Sequence, residues 1–243
     1  MHSESEWDSV ASLQRRLMMR PVDCAFARWS VHMRPADRVS GDFCVIGRRE
    51  GDRLWGAFGD VMGHGPLAAS VNVAILAELG HLADCSPAQR LAGLNAFLEN
   101  DQGLFATAMS FDLGPAGDCL LSSAGHPPAL LMDSSATRPV PESTGAPLGL
   151  FGVDENYAEH HLQLRPQQRL LFVSDGFLER NAASARTKAL PLRIQQGLMA
   201  AASANALKED IVTMRRLLEA AVNGRRKAAD DQTLLLLEYR GAS

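Results

Sequence analysis

The chain has 243 residues, of which 46% are hydrophobic and 21% charged, with a net charge of −4. That length and balance suit one large globular domain with a short appendage, and the mildly acidic total argues against a nucleic-acid-binding surface. Cys24, Cys44, Cys85 and Cys119 are scattered with no C-x-x-C pair, which excludes a zinc knuckle or dithiol redox motif and fits a reducing compartment. No apolar run is long enough to span a bilayer, and the acidic, polar N-terminus is no signal peptide, so a cytoplasmic location away from membranes is expected.

Ser5 and Asp8 open a short amphipathic helix with Trp7, Val10, Leu13 and Leu17 on one face, ending near Arg20-Pro21. Such a stripe docks on its own domain, or it dimerises or transmits a signal. Residues 1–20 are therefore set apart from a main domain over 21–243. Phe26 to Val31, Phe43 to Gly47 and Arg53 to Phe58 read as strands, the last two joined through the Gly51-Asp52 turn as a hairpin. Pairing of that hairpin puts Asp42, near the start of one strand, at the same sheet end as Asp60, at the end of the next. Two carboxylates so placed need a cation or a shared proton.

The segment Phe58-Gly59-Asp60-Val61-Met62-Gly63-His64-Gly65 crosses from strand to helix. Gly59, Gly63 and Gly65 leave no Cβ where a ligand or another strand must come close, and Pro66 suits a first helical position. Helices follow from Pro66 to about Leu82 and from Pro87 to about Leu98. Strands follow over Phe105 to Leu113, Cys119 to Ser123 and Ala129 to Met132. Between the last two lies the rigid Ala124-Gly125-His126-Pro127-Pro128 turn, in which His126 reads as a hydrogen-bonded turn residue. Ser134 to Gly149 reads as a loop. Tyr157 to Leu164 and Arg169 to Ser174 read as strands, the second ending in Asp175-Gly176. A polar stretch over Asn181 to Lys188 precedes a helix from Pro191 and another over Ile211 to Ala221, stopped at Asn223-Gly224. Arg225 to Lys227 is a solvated basic run. Asp230-Asp231-Gln232 leads into a closing strand, Thr233 to Tyr239.

Asp42, Asp60, Asp175 and the Asp230-Asp231 pair each lie at a strand edge beside Gly or another acid, with no Cys or His cluster at ligand spacing. Oxygen-only donors select hard cations such as Mg²⁺ or Mn²⁺ rather than zinc. A pair of such ions suits phosphate-ester hydrolysis, because it acidifies a water and clamps the attacking and leaving oxygens. The chain lacks the G-x-x-x-x-G-K-[ST] loop, the G-x-S-x-G elbow and H-E-x-x-H.

Ser40-Gly41-Asp42, Gly59-Asp60-Val61-Met62-Gly63-His64-Gly65, Phe105-Ala106-Thr107-Ala108, Ala124-Gly125-His126-Pro127-Pro128, Ala146-Pro147-Leu148-Gly149, Ser174-Asp175-Gly176 and Asp230-Asp231-Gln232-Thr233 occur in one order along the chain. In that order the sequence resembles the PPM (protein phosphatase 2C-like) serine/threonine phosphatases, in their bacterial SpoIIE/RsbU-type branch, over about Pro21 to Arg240. The resemblance implies an α+β fold: an α-β-β-α sandwich of two antiparallel sheets flanked by helices. It implies a binuclear Mn²⁺ or Mg²⁺ centre. Asp60 matches the acid bridging both ions, and the backbone carbonyl of Val61 matches the adjacent ligand. Asp42, Asp175 and Asp230 match the remaining acids, with Asp230 rather than Asp231 as the ligand of its pair. Asp60 and Asp175 are then the catalytic acids, and water activated by the ions attacks phosphorus in line.

The implied substrate is a phosphoserine or phosphothreonine protein, in this branch a STAS-type anti-anti-sigma partner whose dephosphorylation releases a partner switch. An upstream activator and a homodimer are further expected partners. Ser40 stands where the branch usually has glycine, Cys44-Val45 where it has an aromatic-acid pair, and Met62 where a small residue is commoner. None of these removes a ligand, and His64 reads as a supporting residue. Two other functions fit the same acids. One is a phosphatase-shaped regulatory binding module without turnover. The other is a hydrolase of small phosphoesters.

Overall fold

The computed structural model describes residues 4–18, 20–99, 103–133, 136–141, 145–152, 155–177 and 230–241. In chain order the elements are α1 (Glu4–Met18), β1 (Ala27–Arg34), β2 (Asp42–Arg49), β3 (Arg53–Val61), α2 (Pro66–His81), α3 (Pro87–Glu99), β4 (Ala106–Leu113), β5 (Asp118–Ala124), β6 (Ala129–Met132), β7 (Thr137–Val140), β8 (His160–Gln163), β9 (Arg169–Val173), a 3₁₀ turn at Asp175–Phe177, and β10 (Gln232–Tyr239). The helices expected from Pro191 and over Ile211 to Ala221, with their flanking polar and basic stretches, lie outside the described residues. No helix among the described residues is long and apolar enough to cross a membrane.

The strands form two five-stranded antiparallel sheets, in the orders β1-β10-β9-β6-β7 and β2-β3-β4-β5-β8. Period-two alternation along each strand sorts its side chains between two faces. On the second sheet Cys44, Ile46, Leu54, Phe58, Met109, Phe111 and Leu121 point inward. They meet Leu131, Leu170, Phe172, Leu235 and Leu237 of the first sheet in one buried core. Phe172 ties the layers together, stacking on Phe111 at 5.5 Å between ring centroids and tilting against Phe58 at 5.9 Å. Full burial of each such ring contributes about 1.5–3 kcal/mol. The alternate residues Phe43, Val45, Ala57, Val61, Ala106 and Ala108 face the other way and pack against α2 and α3.

Two strands differ from the sequence reading. Thr137–Val140 forms β7 inside the segment read as a loop. Its Pro139 is tolerated because β7 is the outermost strand of its sheet, where a missing N–H breaks no second ladder. The strand read over Tyr157 to Leu164 narrows to His160–Gln163, the four residues that pair with β5.

Helix α1 lies against α2 and β2. Trp7, Val10, Leu13 and Leu17 are half-buried along it, and Gln14 is buried. The Gln14 amide donates to the carbonyl of Ser40 at 2.8 Å, and its oxygen accepts from the Ser40 N–H at 3.4 Å. The amide also reaches the carbonyl of Ala69 in α2. Gln14 thus clamps the residues leading into Asp42. Gln14→Ala should lower stability by about 1–3 kcal/mol, because it orphans buried backbone groups. The urea midpoint reports this loss, and an unchanged midpoint would mean that α1 is not held through this amide.

Candidate metal centre

The acids gather at one end of the stacked sheets. In the β2–β3 hairpin Asp42 is the register partner of Asp60, and Asp60 is in turn opposite Thr107 of β4. In the other sheet Asp175 follows the last residue of β9, and Asp230-Asp231 precede the first residue of β10, its antiparallel neighbour. Both sheets therefore end in acids on adjacent strands. The sheet ends are joined by Asp231, whose two carboxylate oxygens accept from the backbone N–H groups of Ala36 and Gly41, each at 2.7 Å. Asp231 is buried and frames the β1–β2 connection. Asp230 is half-buried, and one of its oxygens accepts from the Asp231 N–H at 2.8 Å.

Close backbone approach fixes this end. A Cβ on Gly176 would stand 1.9 Å from the carbonyl oxygen of Asp231, so the Asp175-Gly176 turn reaches the start of β10 only with glycine there. A Cβ on Gly41 would stand 3.0 Å from the carbonyl oxygen of Val61. In the 59–65 segment only Gly59 meets a neighbour closely, at the Thr107 carbonyl. Gly63 and Gly65 have open surroundings and are required instead by their left-handed backbone, φ 83° and 85°. That corrects the reason expected for those two. From α2, the buried Asn72 amide donates to the carbonyls of Gly41 and Asp42. No sequence pattern had marked Asn72 or Gln14. Both are amides on helices whose partners are backbone carbonyls remote in sequence.

Asp42 is fully buried, and neither of its carboxylate oxygens has a hydrogen-bond partner. Burial drives its pKa upward, the charges of Asp231 and Asp175 add to this, and the nearby Thr233 and Ser174 hydroxyls offset only part. Asp60 is pushed further up, first by burial, then by the charges of Asp42, Asp175 and Asp230. A buried carboxylate with orphaned oxygens, facing a second, half-buried acid, has two remedies, a proton or a cation. The donor set is entirely oxygen, which fits a hard divalent ion. Among the described residues no three acidic, histidine or cysteine side chains converge on one point as a finished cage would. His64 lies exposed on the turn before α2. His126 is buried and bonds through its ring to the Thr107 side chain.

Comparison with known proteins gives a consistent picture. The family model described as Stage II sporulation protein E (SpoIIE) matches residues 50–240. Phosphoserine phosphatase RsbP of Bacillus subtilis (strain 168) is 24% identical over 192 residues, which cover 75% of this chain and 47% of RsbP. The chain thus spans about half the length of that curated relative. The RsbU and RsbW domains of Rv1364c from Mycobacterium tuberculosis superpose with a TM-score of 0.77 at 27% identity, over 94% of this chain and 64% of theirs. The catalytic domain of the serine threonine protein phosphatase PstP, solved with 2 manganese ions, superposes with a TM-score of 0.60 at 16% identity, over 88% of this chain and 99% of that one. Two antiparallel sheets flanked by helices are the fold shared with these structures.

The raised carboxyl pKa values have a consequence for stability. Asp42 and Asp60 hold protons more tightly folded than unfolded, so ionising them favours the unfolded chain. In a chelator, stability should fall as pH rises from the unfolded carboxyl value of about 4 toward the folded values. Each kcal/mol is worth roughly 2–4 °C at this size. The melting temperature in EDTA should therefore be several degrees higher at about pH 5.5 than at about pH 7.5, and Asp60→Asn should remove most of that difference. A flat wild-type profile would contradict the buried pair.

Proposed function

The chain belongs to the SpoIIE family, and we propose that its acidic sheet end is the centre of a metal-dependent phosphatase acting on phosphoserine or phosphothreonine in a protein. The observation that carries this reading is Asp42, buried with both oxygens unpartnered directly across the ladder from Asp60. Nothing in the fold requires two carboxylates at that point, and their cost is relieved when cations bind there.

Asp42, Asp60, Asp175, Asp230 and the backbone carbonyl of Val61 are the groups that would hold two Mn²⁺ or Mg²⁺ ions. When bound, the ions supply Lewis acidity, lowering the pKa of a water and offsetting charge on the phosphate oxygens. The chain's own work is placement. Asp60, central in the row, faces the charge of Asp42, Asp175 and Asp230 together. Asp231 and Asn72 hold the segment carrying Asp42, and the Gly176 turn holds Asp175 against the start of β10. Residues 21–243 then make up the phosphatase domain, and residues 1–20 an appended helix.

A protein substrate is favoured by the surface beside the acids. Met62 and Leu67, flanking the turn after Asp60, are 43% and 63% exposed, among only four large hydrophobic residues so exposed in the described chain. An apolar pair at the rim of the site offers contact area to a protein partner that a small ester does not use. RsbP is a phosphoserine phosphatase, which supports a phosphoserine protein as substrate; with the resemblance to the RsbU-type branch, a STAS-type phosphoprotein in a cytoplasmic partner switch is the substrate proposed. An upstream activator, or a second copy engaging α1, is the expected regulator of this site. A binding module without turnover would carry the same acids, and turnover separates the two.

Mn²⁺ should support hydrolysis of p-nitrophenyl phosphate, with EDTA abolishing it. Asp60→Asn and Asp175→Asn should each lower kcat by at least about 100-fold, close to 3 kcal/mol of barrier. Retained turnover in Asp60→Asn would overturn the assignment. Introducing charge at the rim, Met62→Asp with Leu67→Asp, should raise KM for a phosphoprotein about tenfold and leave the small ester unaffected. Equal effects on both substrates would favour a small-phosphoester hydrolase.

A further inference from the structure

His126 is the one histidine buried among the described residues, 2% exposed. Its ring touches two neighbours of Asp60. Nδ1 lies 2.9 Å from Oγ1 of Thr107, the residue directly across the β3–β4 ladder from Asp60. The ring also meets Phe58 edge-on, with centroids 5.3 Å apart, and Phe58 precedes Asp60 by two residues on the same strand face. The backbone around His126 is anchored elsewhere. The Gly125 N–H donates to the Gly145 carbonyl at 2.8 Å, the Gly145 N–H donates to the Ser123 carbonyl at 2.8 Å, and the Ser123 hydroxyl donates to the His126 carbonyl. The imidazole is therefore a fixed post standing beside the strand pair that carries Asp60.

The layering shows what the post is for. One step into the core, the row across β2, β3 and β4 is Cys44, Phe58 and Met109, all buried and apolar. At the sheet end the row is Asp42, Asp60 and Thr107, extended by His126. An apolar pair would fill the Thr107 and His126 positions without burying a hydroxyl and an imidazole, each of which must be paired to be tolerated. The next row inward turns polar only at Ser123 of β5, whose hydroxyl donates to the His126 carbonyl, so the polar side chains of this end centre on the acids and the His126 turn.

We propose that His126 and Thr107 form a positioning pair: the imidazole fixes the Thr107 hydroxyl and the Phe58 ring, and these set the Asp60 carboxylate for cation binding. The proposal rests on the metal-phosphatase reading above. Residues that orient metal ligands from behind typically account for about 10–100-fold in metal affinity or activity.

The test compares Thr107→Val, which keeps the shape and loses the hydroxyl, with His126→Ala, the double variant, and the conservative Thr107→Ser. Mn²⁺ affinity is measured by titration calorimetry, kcat and KM on a phosphoserine peptide, and melting temperature alongside. Thr107→Val and His126→Ala should each weaken Mn²⁺ binding about tenfold and lower kcat to match, with the peptide KM unchanged. The double variant should be no worse than His126→Ala, because the hydroxyl acts through the imidazole, and Thr107→Ser should recover most of the loss of Thr107→Val. Wild-type metal affinity in Thr107→Val would overturn the proposal. So would losses that multiply in the double variant, or a loss in Thr107→Ser as deep as in Thr107→Val. If the wild type itself neither binds Mn²⁺ nor turns over, the metal-phosphatase reading fails. The pair is then judged on the metal-free protein by the side-chain carboxyl ¹³C resonance of Asp60. A shift to the same new position in Thr107→Val and His126→Ala supports the pair, and an unmoved resonance overturns it.

Discussion

Two carboxylates facing each other across an antiparallel ladder, at the mouth of an apolar core, are the constraint around which this structure is arranged. Asp42 cannot leave, because its strand is paired residue by residue with β3. It cannot be solvated, because it is fully buried. Neither of its oxygens has a hydrogen-bond partner, and the nearby Thr233 and Ser174 hydroxyls offset its burial only in part. Such an arrangement is tolerated in a marginally stable fold when a proton or a cation relieves it. On the proposed reading, the burial that makes the pair costly to the protein alone is also what would make it a site for a divalent ion.

Much of the surrounding structure holds that pair in place. Asp231 receives the two ends of the β1–β2 connection, Asn72 of α2 grips the successive carbonyls of Gly41 and Asp42, and Gln14 of α1 grips Ser40 just before them. The segment entering Asp42 is thus bound from three elements distant in sequence. Binding of this kind makes the position of an acid depend on helix packing, so a change at α1 has a short mechanical route to Asp42. On the far side of the row, β4 and the turn carrying His126 provide a matching wall.

The sequence showed a good deal of this. The hairpin argument required Asp42 near Asp60, and the register pairs them. Pro66 and the apolar spacing after it marked α2 to within a residue of its end. What stayed hidden was of two kinds. β7 was concealed because Pro139 and its Ser- and Pro-rich surroundings carry loop chemistry, and only edge position makes a strand there acceptable. Gln14, Asn72 and the Thr107–His126 contact were concealed because each joins residues whose proximity exists only once both sheets and the helical layer are assembled. Asp231 was visible as one of two adjacent acids. Its carboxylate is buried and doubly bonded beside the half-buried Asp230, so the two adjacent acids have different surroundings that the sequence could not separate.

The central claim, that this acidic row is a two-cation centre, is tested most directly by diffraction from crystals grown with Mn²⁺, using anomalous scattering at the manganese edge. The account predicts two peaks at the sheet end, one on either side of the Asp60 carboxylate and within reach of Asp42, Asp175 and Asp230. Manganese bound only elsewhere on the surface, or no peak at that edge with Asp42 and Asp60 sharing a proton, would contradict it.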